Sequence, residues 1–205
     1  SIVRDTVRIN SSRSEGDIYQ VPMDNGTIMP IGVIDIPSFY GSEEIDDHGR
    51  RIVTSATADV EELVVKMKDA GAQAIVLDLR RNGGGLLNEA VDMTGLFISR
   101  GPVVQVKDSY DKVLARSDRN PKVVYNGPLA VLTSRHSASA SEIVAGALQN
   151  YGRALVIGND STHGKGTVQQ VLPLQDYVLR TYNSQNKAGA AKLTIQKYYL
   201  PNGFS

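Results

Sequence analysis

The chain has 205 residues, 41% hydrophobic and 21% charged, which suits one well-buried soluble domain or two small ones. Its 22 Lys and Arg residues balance 22 Asp and Glu and are scattered, so the sequence offers no cationic face to nucleic acid or an anionic membrane. The absence of cysteine excludes disulfides, thiolate nucleophiles and cysteine metal sites, and His48, His136 and His163 show no metal-ligand spacing.

Residues 1–30 are polar with short alternations such as Val3, Asp5, Val7 and Ile9, which predict one or two strands. No apolar run is long enough to span a bilayer and no signal peptide opens the chain. It starts on Ser1 and enters a strand-like segment at once, so it reads as an excised piece of a longer precursor. Ile31 to Ile36 is a compact apolar strand closed by Pro37, and Gly41 to Arg51 reads as a surface loop. A helix begins near Thr57 or Asp59, carries Val60, Leu63, Val64 and Met67 at helical spacing and stops at Gly71. Ala74 to Leu79 reads as a strand buried on both faces. It enters the turn Arg81-Asn82-Gly83-Gly84-Gly85 and a helix from about Leu87 to Ser99, followed by a strand at Val103 to Val106.

The pattern then repeats. Leu129 to Thr133 is a strand, Ser134 to Ser139 a polar turn, Ala140 to Asn150 a helix and Ala154 to Gly158 another strand. The loop Thr162-His163-Gly164-Lys165-Gly166 leads into strand-like Val168 to Leu172, a polar connection at 176–190 and a Tyr-rich strand at Leu193 to Leu200. Strands alternating with helices predict an α/β fold whose sheet is at least partly parallel, with its sites at the carboxyl ends of the strands.

Three of those strand-end loops carry residues suited to chemistry. The glycine triplet lets backbone amides approach a ligand without Cβ interference, although a tight packing turn uses glycine the same way. It lacks the Gly-Lys-Ser/Thr of a phosphate loop. The run Ser137-Ala138-Ser139-Ala140-Ser141 precedes a helix, where one serine is expected to cap. A serine there also has exposed amides and the positive end of the helix dipole beside it, which suits an attacking oxygen whose product is an oxyanion. Lys165 between two glycines reads, by itself, as a solvated surface charge.

Together these segments carry a specific resemblance. Leu77-Asp78-Leu79-Arg80 running into Asn82-Gly83-Gly84-Gly85 resembles the carboxyl-terminal processing (tail-specific) proteases, Ser–Lys dyad peptidases, and four further segments match that family in order and approximate spacing. They are Ser137 to Ile143, Tyr151-Gly152-Arg153-Ala154, Gly164 to Gln170, and Thr194 to Tyr199. The resemblance covers about residues 30–200 and implies a crotonase/Clp-protease-like core with additional amino- and carboxyl-terminal strands. It implies Ser139 as nucleophile, Lys165 as general base and Gln169 as the residue orienting that lysine. The oxyanion hole falls on the amides of Gly85 and Ala140, and Gly84, Glu142 and Thr162 are supporting positions. Also implied are an extracytoplasmic, periplasmic or membrane-associated location, protein substrates with unstructured carboxyl termini, a periplasmic or membrane-associated adaptor, and no cofactor or metal. Residues 1–205 then form the peptidase core, without the PDZ domain that precedes it in the family.

Two departures stand out. Asn159-Asp160-Ser161 lengthens the Ser–Lys interval by one residue, and Asn150 stands where some relatives have an aspartate. Because a lysine accepts a proton only when neutral, Lys165 is expected to be largely buried, free of carboxylate partners, and close to Ser139 and Gln169. The competing expectations are a Ser-His hydrolase using His136 with Asp78 or Asp160, and a non-catalytic binding module on the same fold.

Overall fold

Five segments, four of them rich in Ile, Val and Leu, form the principal sheet of the computed structural model, which describes residues 13–45, 48–175 and 189–204. In spatial order they are β1 (Glu15–Pro22), β2 (Ile28–Asp35), β5 (Ala74–Asp78), β8 (Leu129–Leu132) and β9 (Leu155–Ile157). β1 and β2 form an antiparallel hairpin, whereas β2, β5, β8 and β9 run parallel, with Val33 beside Val76 and Leu77 beside Val131. Parallel neighbours need crossover connections, and a helix lies in each one. These are α1 (Ala56–Asp69), α2 (Leu87–Gly95) and α3 (Ala140–Asn150).

Helix α1 shows why the chain folds this way locally. The Ser55 side chain accepts the Ala58 amide at 3.1 Å, capping the helix, and Asp59 lies in its first turn where the helix dipole favours an acid. Val60, Val64 and Met67 recur at helical spacing and are buried against the sheet core of Ile34, Ile75 and Leu77. Each such side chain contributes about 1.5–3 kcal/mol by leaving water. The sheet's opposite face remains open: Val33, Val76, Ala130, Leu132 and Ile157 line a surface groove there. β5 is therefore not buried on both faces, because the helices cover only one side.

A second, antiparallel sheet packs against α2 and α3. Its spatial order is β10 (Thr167–Pro173), β11 (Ala190–Tyr199), β6 (Gly101–Lys107) and β7 (Val113–Asp118). β7 is absent from the sequence-based expectation because its residues 113–116 are exposed and show no apolar alternation. The expected loop over Gly41 to Arg51 is instead part of a hairpin, β3 (Gly41–Ile45) with β4 (Arg51–Ser55). It too is mostly solvated, so backbone pairing defines it without an apolar face. Helix α2 ends at Gly95, short of Ser99, where the Leu96 and Phe97 amides turn back to the carbonyls of Met93 and Thr94. The alternation at Val3 to Ile9 and most of the connection at 176–190 lie outside the described residues.

Candidate active site

The loops after β5, β8 and β9 leave the carboxyl ends of adjacent parallel strands, and they converge. Gly83, Gly85, Ser139, Ala140, Lys165 and Gln169 all line one cavity of about 350 Å³.

Asn82 joins the first loop to the second. It is fully buried; its side-chain amide donates to the Ile36 carbonyl at 2.9 Å and accepts from the Gly84 amide at 2.8 Å. Its own carbonyl accepts from the Ala138 amide at 3.2 Å and the Ser141 hydroxyl at 2.8 Å. Gly84 has φ +107°, and a Cβ there would stand 2.8 Å from both the Ala138 carbonyl oxygen and Ser139 Cβ. Glycine at 84 thus lets the two loops close together. Phe39 then pairs with both neighbours of Gly85: its amide donates to the Gly84 carbonyl and its carbonyl accepts from the Leu86 amide. The Gly85 amide is left out of that ladder. Among the described residues neither it nor the Ala140 amide has an acceptor.

The three serines of the second loop separate by what they already bind. Ser137 is fully buried, donating to the Leu79 carbonyl at 2.7 Å and accepting from the Ser134 amide at 2.9 Å. Ser141 is also fully buried and committed to Asn82. Ser139 is half-buried and lines the cavity at the amino terminus of α3. Its backbone sits at φ 57°, ψ −112°, a conformation costing a non-glycine residue about 1–3 kcal/mol unless its surroundings impose it.

Glu142 supplies much of that imposition. One carboxylate oxygen accepts from the Thr162 hydroxyl at 2.8 Å and the Gly164 amide at 2.6 Å. The other accepts from the Ser139 amide at 2.7 Å, the Lys165 amide at 3.2 Å and the Tyr198 hydroxyl at 3.0 Å. One side chain thus fixes the serine turn, the lysine loop and β11 together. Burial pushes this carboxyl upward, but the donors from Thr162, Gly164, Ser139 and Lys165 outweigh it and hold the carboxyl below the usual glutamate range. Burial and the adjoining carboxylate push the Tyr198 phenol well above the usual tyrosine value.

Lys165 is half-buried, not largely buried as expected from the sequence, and Gln169 is exposed. The reason is local: the lysine is carried by a loop pinned to α3 through Glu142, and the cavity beside it opens to solvent. No carboxylate lines the cavity, and no hydrogen bond joins the Lys165 amine to Ser139 or Gln169 among the described residues. Val168 and Gln169, though consecutive on β10, both line the cavity. They pair with Gln196 and Thr194, leaving Ile195 as a bulge, which re-aims side chains. The exposed stretch Asn159-Asp160-Ser161 is accommodated before Thr162 returns to Glu142.

His136 and His163 are exposed and do not line the cavity, and Asp78 is bound to the Arg80 side chain. Sequence reasoning did not single out Asn82, Tyr198 or Lys192. Asn82 stood in the glycine motif and was readable as a turn residue, whereas the other two enter through the register of β11. Among the described residues no group of three or more His, Asp or Glu side chains is arranged to hold a metal, and no helix is long and apolar enough to cross a membrane.

Comparison with known proteins gives one family. Peptidase family S41 matches residues 30–205. Over 205 residues the chain is 42% identical to a tail-specific protease of Haemophilus influenzae, covering 100% of this chain and 26% of the relative. It is 38% identical over 149 residues to a carboxy-terminal-processing protease of Bartonella bacilliformis, covering 72% of this chain and 32% of the relative. Among solved structures, the photosystem II D1 C-terminal processing protease superposes with a TM-score of 0.71 at 26% identity, covering 100% of this chain and 47% of that one. The chain thus spans about a quarter to a third of the length of these curated relatives.

Proposed function

The chain belongs to peptidase family S41, and we propose that it forms the catalytic core of a serine endopeptidase with Ser139 as nucleophile and Lys165 as general base. One observation carries this assignment. Ser137 and Ser141 donate their hydroxyls to backbone carbonyls, whereas Ser139, whose oxygen accepts the Glu142 amide as a helix cap, lines a cavity shared with a lysine that faces no carboxylate.

In the proposed reaction the neutral Lys165 amine takes the Ser139 proton as Oγ attacks the scissile carbonyl carbon. The carbonyl oxygen becomes an oxyanion and is received by the amides of Gly85 and Ala140 at the positive end of α3. The tetrahedral adduct collapses, the Lys165 ammonium gives its proton to the leaving amine, and an acyl ester remains on Ser139. Water attacks that ester while losing a proton to the same amine. Collapse of the second adduct returns the proton to Oγ and releases the new carboxyl terminus. The role proposed for Gln169, which lines the same cavity, is to offer its side-chain oxygen to the amine and orient Lys165 without adding negative charge. Gly84, Glu142 and Thr162 hold the two loops in register.

The proposed substrates are unfolded proteins or proteins cleaved near unstructured carboxyl termini, in an extracytoplasmic, periplasmic or membrane-associated setting. A region outside this chain recognises the tail, and a periplasmic or membrane-associated adaptor delivers some substrates. The Ser-His alternative is disfavoured by the exposed positions of His136 and His163 away from the cavity. The test is Ser139→Ala in the full-length protein, assayed on an unfolded protein substrate. Cleavage is expected to be abolished with thermal stability nearly unchanged, and a variant that still cleaves, free of contaminating protease, overturns the assignment.

A further inference from the structure

The cavity beside Ser139 and Lys165 continues along the β10–β11 hairpin to Lys192. Lys192 lies across the ladder from Val171, two positions beyond Gln169. β6 backs β11 only from Lys197 to Tyr199, so the Lys192 stretch is carried by the two-stranded hairpin alone, as one wall of the cleft. Leu86, Leu87, Ile143 and Val168 give the lining its apolar part, beside Ser139, Gln169 and Tyr198.

The charges of this cleft are one-sided. It is lined by Lys165 and Lys192 and by no carboxylate, in a protein whose formal net charge is zero. Several surface lysines have found acids: Lys66 with Glu62 at 2.6 Å, Lys107 with Asp111 at 2.8 Å and Lys122 with Glu61 at 3.0 Å. The Lys192 side chain makes no ion pair or hydrogen bond among the described residues. If Lys165 works as a neutral base, the Lys192 ammonium is the one full charge left on the described lining. An exposed cation on a cleft lined by no acid selects an anion, because a neutral or cationic group leaves it without a partner.

Resting on the peptidase reading above, we infer that Lys192 forms an anion subsite of the substrate cleft, binding a carboxylate of the peptide a few residues from the scissile bond. Two sources share that chemistry: an Asp or Glu side chain, and the free carboxyl terminus of the substrate.

The experiment measures binding of fluorescent peptides to the full-length protein carrying Ser139→Ala, with and without Lys192→Gln. The peptides are identical except that one is neutral with an amidated end, one has a free carboxyl end, and a set carries a single Glu at successive positions. Lys192→Gln is expected to lower the acidic-over-neutral affinity ratio about fivefold, as for a charge-assisted contact at the solvent edge. Lys192→Arg retains the ratio, and Lys192→Glu inverts it toward peptides carrying Lys in place of Glu. Loss confined to a Glu position identifies a side-chain carboxylate, and loss confined to the free end identifies the terminus. Equal ratios with and without Lys192→Gln for every peptide overturn the subsite. Cleavage of the neutral peptide by the Ser139-containing protein is scored separately, so failure of the peptidase assignment is not confused with failure of the Lys192 assignment.

Discussion

Replacing Glu142 by Gln removes one charge and one acceptor atom from the point where the serine turn, the lysine loop and β11 meet. The two oxygens of Glu142 accept two and three donors respectively. A glutamine keeps one acceptor oxygen and turns an NH₂ group toward the donors that faced the other, so two or three donors lose their partner in either orientation. At about 1.5–3 kcal/mol for each lost bond to a charged acceptor, two lost bonds cost about 3–6 kcal/mol before relaxation. The cheaper orientation keeps the oxygen toward the three donors Ser139, Lys165 and Tyr198 and turns the NH₂ group to Thr162 and Gly164, so the loss concentrates in the Gly164 backbone. The assays are thermal denaturation, hydrogen exchange at the Gly164 amide and kcat in the full-length protein. The expected outcome is faster exchange at Gly164 and a kcat lowered at least about a hundredfold, since a misplacement of about 1 Å costs that much. The carboxyl's depressed pKa also sets a pH dependence. Its stabilising contribution is fully present above the ordinary glutamate value of 4.5 and is lost as the pH falls through the lower folded value; Glu142→Gln removes this acid-side loss. A Glu142→Gln protein with unchanged kcat and unchanged Gly164 exchange refutes the role given to this carboxylate.

Other outcomes follow from the same geometry. Gly84→Ala adds strain at φ +107° to a Cβ contact of 2.8 Å with Ser139 Cβ, so denaturation should show a loss of about 2–5 kcal/mol. Gly83→Ala meets nothing within 4 Å and should keep stability to within about 0.5 kcal/mol. Ser137→Ala and Ser141→Ala each strip a bond from a buried carbonyl and should cost about 1–3 kcal/mol in denaturant melts, more than Ser139→Ala. They should nonetheless retain more activity than Ser139→Ala, and the reverse ranking would show that the wrong serine has been assigned.

The parallel part of the fold was legible because its strands are apolar and its helices periodic. Leu129 to Leu132, Ala140 to Asn150 and Leu155 to Ile157 lie where hydrophobic pattern and turn residues put them. The two polar hairpins were not legible, since Glu43, Glu44 and Val113 to Arg116 are exposed and leave no alternation to read. Within the site, the serine run and the Gly-Lys-Gly loop announced themselves, and the resemblance pointed to Ser139; the hydrogen bonds of Ser137 and Ser141 add a physical reason for that choice. Glu142 entered only as a supporting position implied by the resemblance; four of its five donors come from residues 20 to 56 positions away, which no local pattern announces. The bulge at Ile195 decides which β10 side chains reach the cavity, and it depends on strand register, which neither motif nor periodicity specifies.

The most direct test of the dyad is the rate at which the full-length protein carrying Lys165→Arg cleaves an unfolded protein, compared with the unaltered protein under the same conditions. Arginine keeps a long cationic side chain but stays protonated, so it cannot take the Ser139 proton. Loss of cleavage by at least about a thousandfold, with the melting temperature preserved, is the result this mechanism requires. Cleavage at near the unaltered rate contradicts it and returns the search for the base to His136 and His163.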